Sequence, residues 1–196
     1  MPFSRFLFST LLAFAFNLLL SGEHSNFSLT DEVRAVYQAI VRIEVVSEKG
    51  SGGRMMKARS TGSGVIISKD GLVLTNHHVA GKASRLTCRL HNGDELMADL
   101  LGADAMTDLA LLRLRLNENG SNSEPLKIAE FGNSHKVKVG DTCFAMGSPA
   151  GLSQSVTKGI ISNVALISAG SQSFRLDGEN VGELVRWLGH DAVIYP

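Results

Sequence analysis

Apolar and polar positions divide this chain into an apolar leader, one short helical repeat and a long series of short segments rich in branched residues. The leader runs from Phe6 to Leu20, broken only by Ser9, Thr10 and Asn17 and preceded by one cation, Arg5. It falls short of the ~20 apolar residues that a spanning helix needs, and so predicts a secretory signal over residues 1–22. A membrane is an expected partner only if that segment stays uncleaved as an anchor. Residues 23–32 follow as an N-terminal segment. Within "SLTDEVRAVYQAI", Thr30 stands at an N-cap position, acidic residues fill the first turn, and Val33, Val36, Tyr37 and Ile40 recur at helical spacing. The pattern predicts a short helix feeding the strand "IVRIEVV".

Beyond that point the helical period disappears. "EKGSGGRMMKARSTG" lacks apolar periodicity and reads as a glycine-rich, basic loop. Strands are then predicted at "GVIIS", "LVLTN", "RLTCRL", "ELMADLLG", "LALLRLRL", "TCFAMG" and "GIISNVALIS". Turn signals separate several of them, at Lys69-Asp70-Gly71, Asn92-Gly93-Asp94 and Val139-Gly140-Asp141. Strands at this spacing, with little helix between them, predict an all-β barrel or sandwich rather than βαβ units. Leu109 to Leu112 are all apolar, which predicts a strand buried on both faces. The polar stretch from Asn117 to Pro125 reads as a linker, giving a first β lobe over 33–120 and a second over 121–196. A further short helix is expected from Glu183 to Leu188.

Composition narrows the function classes. Lys plus Arg number 19 and Asp plus Glu 19, with no long basic stripe, which argues against a nucleic-acid partner. The two cysteines, Cys88 and Cys143, leave a bridge or two buried thiols open, the second being the simpler reading. Asn26 and Asn119 fit the glycosylation sequon.

The candidate chemistry lies in "LVLTNHHVAG". On a strand, His77 and His78 would point to opposite faces, and neither a metal-like spacing of partners nor an HExxH helix is present, so no metal site is expected. Thirty residues beyond His78, Asp108 stands directly before an apolar strand. A carboxylate held there can fix an imidazole tautomer, leaving the other ring nitrogen as a general base. His24, His91, His135 and His190 read as surface or turn residues.

The segments "GSGVIISKDGLVLTNHHVAG", "DLLGADAMTDLALLRL", "VGDTCFAMGSPAGLSQSVTKGIIS" and "HDAVIYP" resemble the trypsin-like serine proteases of the HtrA/Deg type, over roughly Val33 to Pro196. The resemblance implies a chymotrypsin-like double β-barrel, the first barrel complete and the second incomplete. It implies His78 as general base and Asp108 as the acid that orients it, with His77 turned away. Asp191 would anchor a loop, and Ile194 would line the pocket for the substrate residue before the scissile bond. No cofactor is implied. The implied substrates are unfolded or damaged proteins and peptides, in the periplasm or outside the cell, with homo-oligomers formed by a full-length protein. In that family a Gly-Asn-Ser-Gly-Gly segment follows a stretch like "HDAVIYP", so the nucleophilic serine has no number within these 196 residues and a fragment inactive by itself is expected. A pseudoprotease or protein-binding module on the same fold is the alternative. Ser51-Gly52-Gly53 imitates the serine segment but precedes His78, and Ser63 reads as a residue that opens a strand. Between Ile167 and His190 the chain is longer than the family pattern.

Overall fold

Helix α1 (Asp31–Ala39) runs directly into strand β1 (Ile40–Ser51), and the apolar stripe explains why. Val33, Val36 and Tyr37 are half-buried while Arg34 and Ala35 face solvent, and burial is complete by Ala39. The structure, a computed structural model, describes residues 30–51, 54–116, 124–148, 155–166, 174–176, 179–181 and 185–194. The expected leader, His24, both sequons and residues 117–123 of the linker lie outside these residues. Among the described residues, no helix is long and apolar enough to cross a membrane.

A closed barrel of six strands forms the first lobe, in the order β1-β2-β3-β6-β5-β4. Its members are β1, β2 (Arg54–Ile66), β3 (Leu72–Thr75), β4 (Arg85–Arg89), β5 (Glu95–Asp104) and β6 (Leu109–Leu114). All neighbours are antiparallel, and β1 closes the ring by pairing with both β2 and β4. Alternation decides what fills it. Val41, Ile43 and Val45 point inward, each at most 3% exposed, and meet Ile66, Val73, Leu96 and Leu112. Burying each such side chain is worth about 1.5–3 kcal/mol, which makes the interior the main source of stability. The turn signals act as expected: Gly71 and Gly93 adopt φ of 85° and 90°, where a side chain would be strained.

Three expectations are corrected here. The glycine-rich segment after "IVRIEVV" is not a loop, because β1 and β2 pair residue by residue from Ile40 with Val65 to Ser51 with Arg54. Cross-strand pairing carries the hairpin outward with no apolar face to bury, which is why periodicity missed it. Strand β6 is buried on one face only: Ala110, Leu112 and Leu114 are at most 3% exposed, whereas Leu109 is 45% exposed. Residues Trp187–His190 form strand β11, not the end of a helix, with Trp187 paired to Leu166.

Past the barrel lie β7 (Thr142–Gly147) and β8 (Ser155–Leu166), which with β11 make a sheet ordered β11-β8-β7. Strands β9 (Phe174–Leu176) and β10 (Glu179–Val181) pair separately. Among the described residues this second set does not close. It is tied to the barrel by the Ser148 amide, which donates to Ser63 Oγ at 2.8 Å. Both cysteines are free. Cys88 is sealed inside the barrel and Cys143 only half-buried, so the two-buried-thiols reading fits Cys88 alone.

Candidate active site

Strand β3 ends at Thr75, whose hydroxyl donates to Ser63 O at 2.7 Å. Asn76 is extended, and its carbonyl accepts from both Val79 N and Ala80 N at 3.2 Å, closing the single helical turn α2 (His77–Ala80). His77 and His78 therefore stand on a helical turn and not on a strand. Adjacent residues of a helix are still roughly 100° apart, so the two rings diverge for a different reason than alternation. The His77 ring packs over Gly81, where an added Cβ would fall 2.4 Å from Nδ1. The backbone of His77 reaches Asp108, its N–H donating to the carbonyl at 3.0 Å.

Asp108 arrives on the connection between β5 and β6. Asp104 shapes it, accepting from Thr107 Oγ1 at 2.8 Å and Met106 N at 2.9 Å, and these bonds, the Thr107 hydroxyl foremost, hold the Asp104 carboxyl below its usual range. Asp108 then adopts φ of 56°, the left-handed region that Asp tolerates better than most residues. It is 3% exposed and fully engaged. His78 N donates to Oδ1 at 2.9 Å, the Asn76 amide donates to Oδ2 at 3.2 Å and to the carbonyl at 3.1 Å, and His78 Nδ1 lies 2.7 Å from Oδ2. An ionised carboxylate only accepts, so Nδ1 carries the proton in this contact. Nε2 of the neutral ring is then an acceptor, and the His78 side chain is 39% exposed.

The two residues singled out from the sequence are thus brought together. Asn76 was missed, although its signal was in plain view: an amide two positions before the histidine in Thr-Asn-x-His. Gly62 was missed as well. An added Cβ there would sit 2.5 Å from Val79 Cγ1, so the absent side chain lets α2 lie against β2.

His78 opens on a cleft of about 910 Å³, whose walls include Asn76, Gly62, Ser63, Met146 and Ile194. Ile194 is 70% exposed, on the irregular segment after β11. That segment is pinned to β8: Ile160 N donates to Asp191 Oδ1 at 2.7 Å and Thr157 Oγ1 to Val193 O at 2.7 Å. Ser63 Oγ is occupied by the Ser148 amide, and Ser51 ends β1 in the hairpin. Among the described residues, no serine hydroxyl hydrogen-bonds His78, and no group of three His, Cys, Asp or Glu could hold a metal ion.

The pattern of the trypsin-like peptidase domain matches residues 62–195. The chain belongs to this family. Two relatives share one name, probable periplasmic serine endoprotease DegP-like. That of Pseudomonas fulva is 41% identical over 152 residues, covering 68% of this chain and 30% of its own length. That of Halomonas elongata is 38% identical over 152 residues, covering 68% and 31%. The trypsin-like chain thus spans under a third of the length of these relatives. Among solved structures, the HtrA-type protease AlgW with decapeptide superposes with a TM-score of 0.63 at 29% identity, over 86% of this chain and 53% of that one. The same protease with tripeptide gives 0.62 at 30% identity, over 79% and 49%. The architecture of this trypsin-like chain is the chymotrypsin-like double barrel, with its first barrel closed and its second partial.

Proposed function

We propose that this chain supplies the base and acid of a serine endopeptidase that cleaves polypeptides by acyl transfer. The 2.7 Å contact of His78 Nδ1 with Asp108 Oδ2, at the rim of an open cleft, is the observation that carries the reading. In the reaction, His78 Nε2 takes the proton of a serine hydroxyl as Oγ attacks the scissile carbonyl carbon. Asp108 holds the ring in its working tautomer and stabilises the imidazolium. The imidazolium then protonates the leaving amine, the acyl-enzyme forms, and a water activated by Nε2 releases the new carboxylate. No cofactor enters any step. The serine belongs to a Gly-Asn-Ser-Gly-Gly segment of the kind the family places after "HDAVIYP".

Lobes over 33–120 and 121–196 flank the cleft in this reading, and Ile194 on its wall favours an apolar side chain before the scissile bond. The names of the relatives support a periplasmic location, reached by a signal over residues 1–22, and the peptides bound to AlgW support polypeptide substrates, of which unfolded or damaged chains are the class proposed. Homo-oligomers are part of the proposal for the full-length protein. A second reading, a non-catalytic protein-binding module, rests on the absence of a serine hydroxyl on His78 among the described residues. The experiment extends the chain through a family serine segment and exposes it to a fluorophosphonate probe. Labelling that disappears in His78→Ala supports the enzyme, and labelling indifferent to that change supports the binding module.

A further inference from the structure

Strand β2 outruns its neighbours. It pairs with β1 along its whole length, but β3 reaches only as far as the pair Gly64 and Thr75, and β4 meets β1 only as far as Val46 and Arg85. Residues 54–63 of β2 therefore have a strand on one side alone. Two hydrogen bonds fix how the backbone is turned there. Ile67 N donates to Leu72 O at 2.8 Å, and the Thr75 hydroxyl donates to Ser63 O at 2.7 Å, so odd-numbered residues of β2 aim their peptide groups at the β3 side. Each residue of a strand turns its N–H and C=O to the side opposite its neighbours'. Thr61, Arg59, Lys57 and Met55 thus present theirs along an edge that no described strand covers.

This edge is continuous with the cleft of His78, whose walls include Ser47, Ala58 and Ser60 of the same hairpin. Beside cations of the kind that commonly guard a bare edge, it carries two exposed methionines. Met55 and Met56 are 68% and 61% exposed, and Arg54, Lys57 and Arg59 are exposed beside them. Of these cations Arg59 lines the cleft itself, as does Lys82, one turn beyond His78, against the single carboxylate of Glu48.

We infer that the β2 edge from Met55 to Thr61 receives an extended acidic and apolar segment of the substrate as an added β-strand, beyond the residues that flank the scissile bond. The inference rests on reading the cleft as a polypeptide site. Main-chain bonds to an open edge accept any sequence, and flanking side chains choose among them. Methionines adapt to varied apolar neighbours, and the cations select carboxylates. The partner is therefore a stretch alternating acidic and branched apolar residues.

The test uses the full chain and a synthetic peptide of alternating Asp and Val, with a Lys–Val peptide as control, followed by amide hydrogen exchange. The amides of Met55, Lys57, Arg59 and Thr61 should gain protection with the Asp–Val peptide, while those of Met56, Ala58 and Ser60, already turned to β1, should not change. Lys57→Pro removes an edge-directed N–H and leaves the β1 ladder intact. It should weaken binding at least about tenfold, as should combined Arg54→Glu, Lys57→Glu and Arg59→Glu, since several exposed charges act together. Equal binding of both peptides, protection without the odd–even alternation, or indifference to Lys57→Pro overturns the proposal. Capture of the hairpin by phosphatidylglycerol vesicles, with no peptide-dependent protection, replaces it with a membrane role. The fluorophosphonate result is independent: labelling that requires His78, with an unprotected edge, sinks the added strand and leaves the protease reading standing.

Discussion

One side-chain amide, that of Asn76, donates to both the carbonyl oxygen and Oδ2 of Asp108, at 3.1 and 3.2 Å. It grips a residue held in the left-handed region and 3% exposed, so backbone and carboxylate are oriented by the same group. Asn76→Ala removes one hydrogen bond to a buried carboxylate and one to the backbone carbonyl of the same residue. The expected loss is about 1–3 kcal/mol in urea unfolding, as for hydrogen bonds to charged groups. Stability unchanged within error would mean that His78 and the α2 backbone hold Asp108 without help.

Asp108→Asn separates charge from shape. Asn accepts a positive φ as readily as Asp, so the fold should persist. The amide no longer forces the His78 proton onto Nδ1, and ¹⁵N shifts of the ring should report a mixed or reversed tautomer. In the serine-bearing chain, kcat should fall by about 10⁴-fold, the effect of losing this tautomer control in such triads. Retained turnover would remove Asp108 from the mechanism.

Gly62 is a spacing device. Its added Cβ would meet Val79 at 2.5 Å, one residue from His78, so Gly62→Ala should push α2 outward. Misplacement by about 1 Å can cost about 10²-fold in rate, and overpacking about 1–3 kcal/mol. Gly102→Ala is the control, because a Cβ there meets nothing within 4 Å. Equal kinetics for the two variants would refute the spacing argument.

Cys88 gives a pH signature. Burial pushes its thiol up to about 12, against 9.0 when unfolded. The folded state keeps the proton longer, so the contribution to stability is complete below the unfolded value. It is lost progressively as pH rises from 9 toward 12. Urea unfolding of the native chain and of Cys88→Ala should therefore run parallel near neutrality and diverge above about pH 9, the native chain losing more. Parallel behaviour throughout would place Cys88 in contact with water.

What the sequence revealed follows from which forces act locally. Val41, Ile43 and Val45 alternate because one face of β1 fills a barrel, and that alternation was readable. So was the left-handed Gly at Asn92-Gly93-Asp94. The outer hairpin was not, since Arg54 to Ser60 are all exposed and their order comes from pairing with residues of β1. Barrel and sandwich share the same alternation, so ring closure by β1 and β4 had no local trace. At the site, the pairing of His78 with Asp108 was expected from a family resemblance, and the structure brings the two into contact. The two hydrogen bonds from the Asn76 amide depend on a contact across 32 residues, which no short window contains.

The bond from Ser148 N to Ser63 Oγ spans 85 positions, whereas every ladder of the barrel is complete by Leu114. A chain that emerges N-terminal end first therefore has all six barrel strands in hand while residue 148 is still to come. At about 5–20 residues per second that interval is roughly two to seven seconds, far longer than a small barrel takes to collapse. Chains arrested once residue 116 has emerged from the ribosome should already protect Cys88 from thiol reagents, and failure to do so would tie barrel closure to the later strands. The order of arrival thus places the His78–Asp108 pair ahead of the opposite wall of its cleft, and makes the second lobe a latecomer to a half-built site.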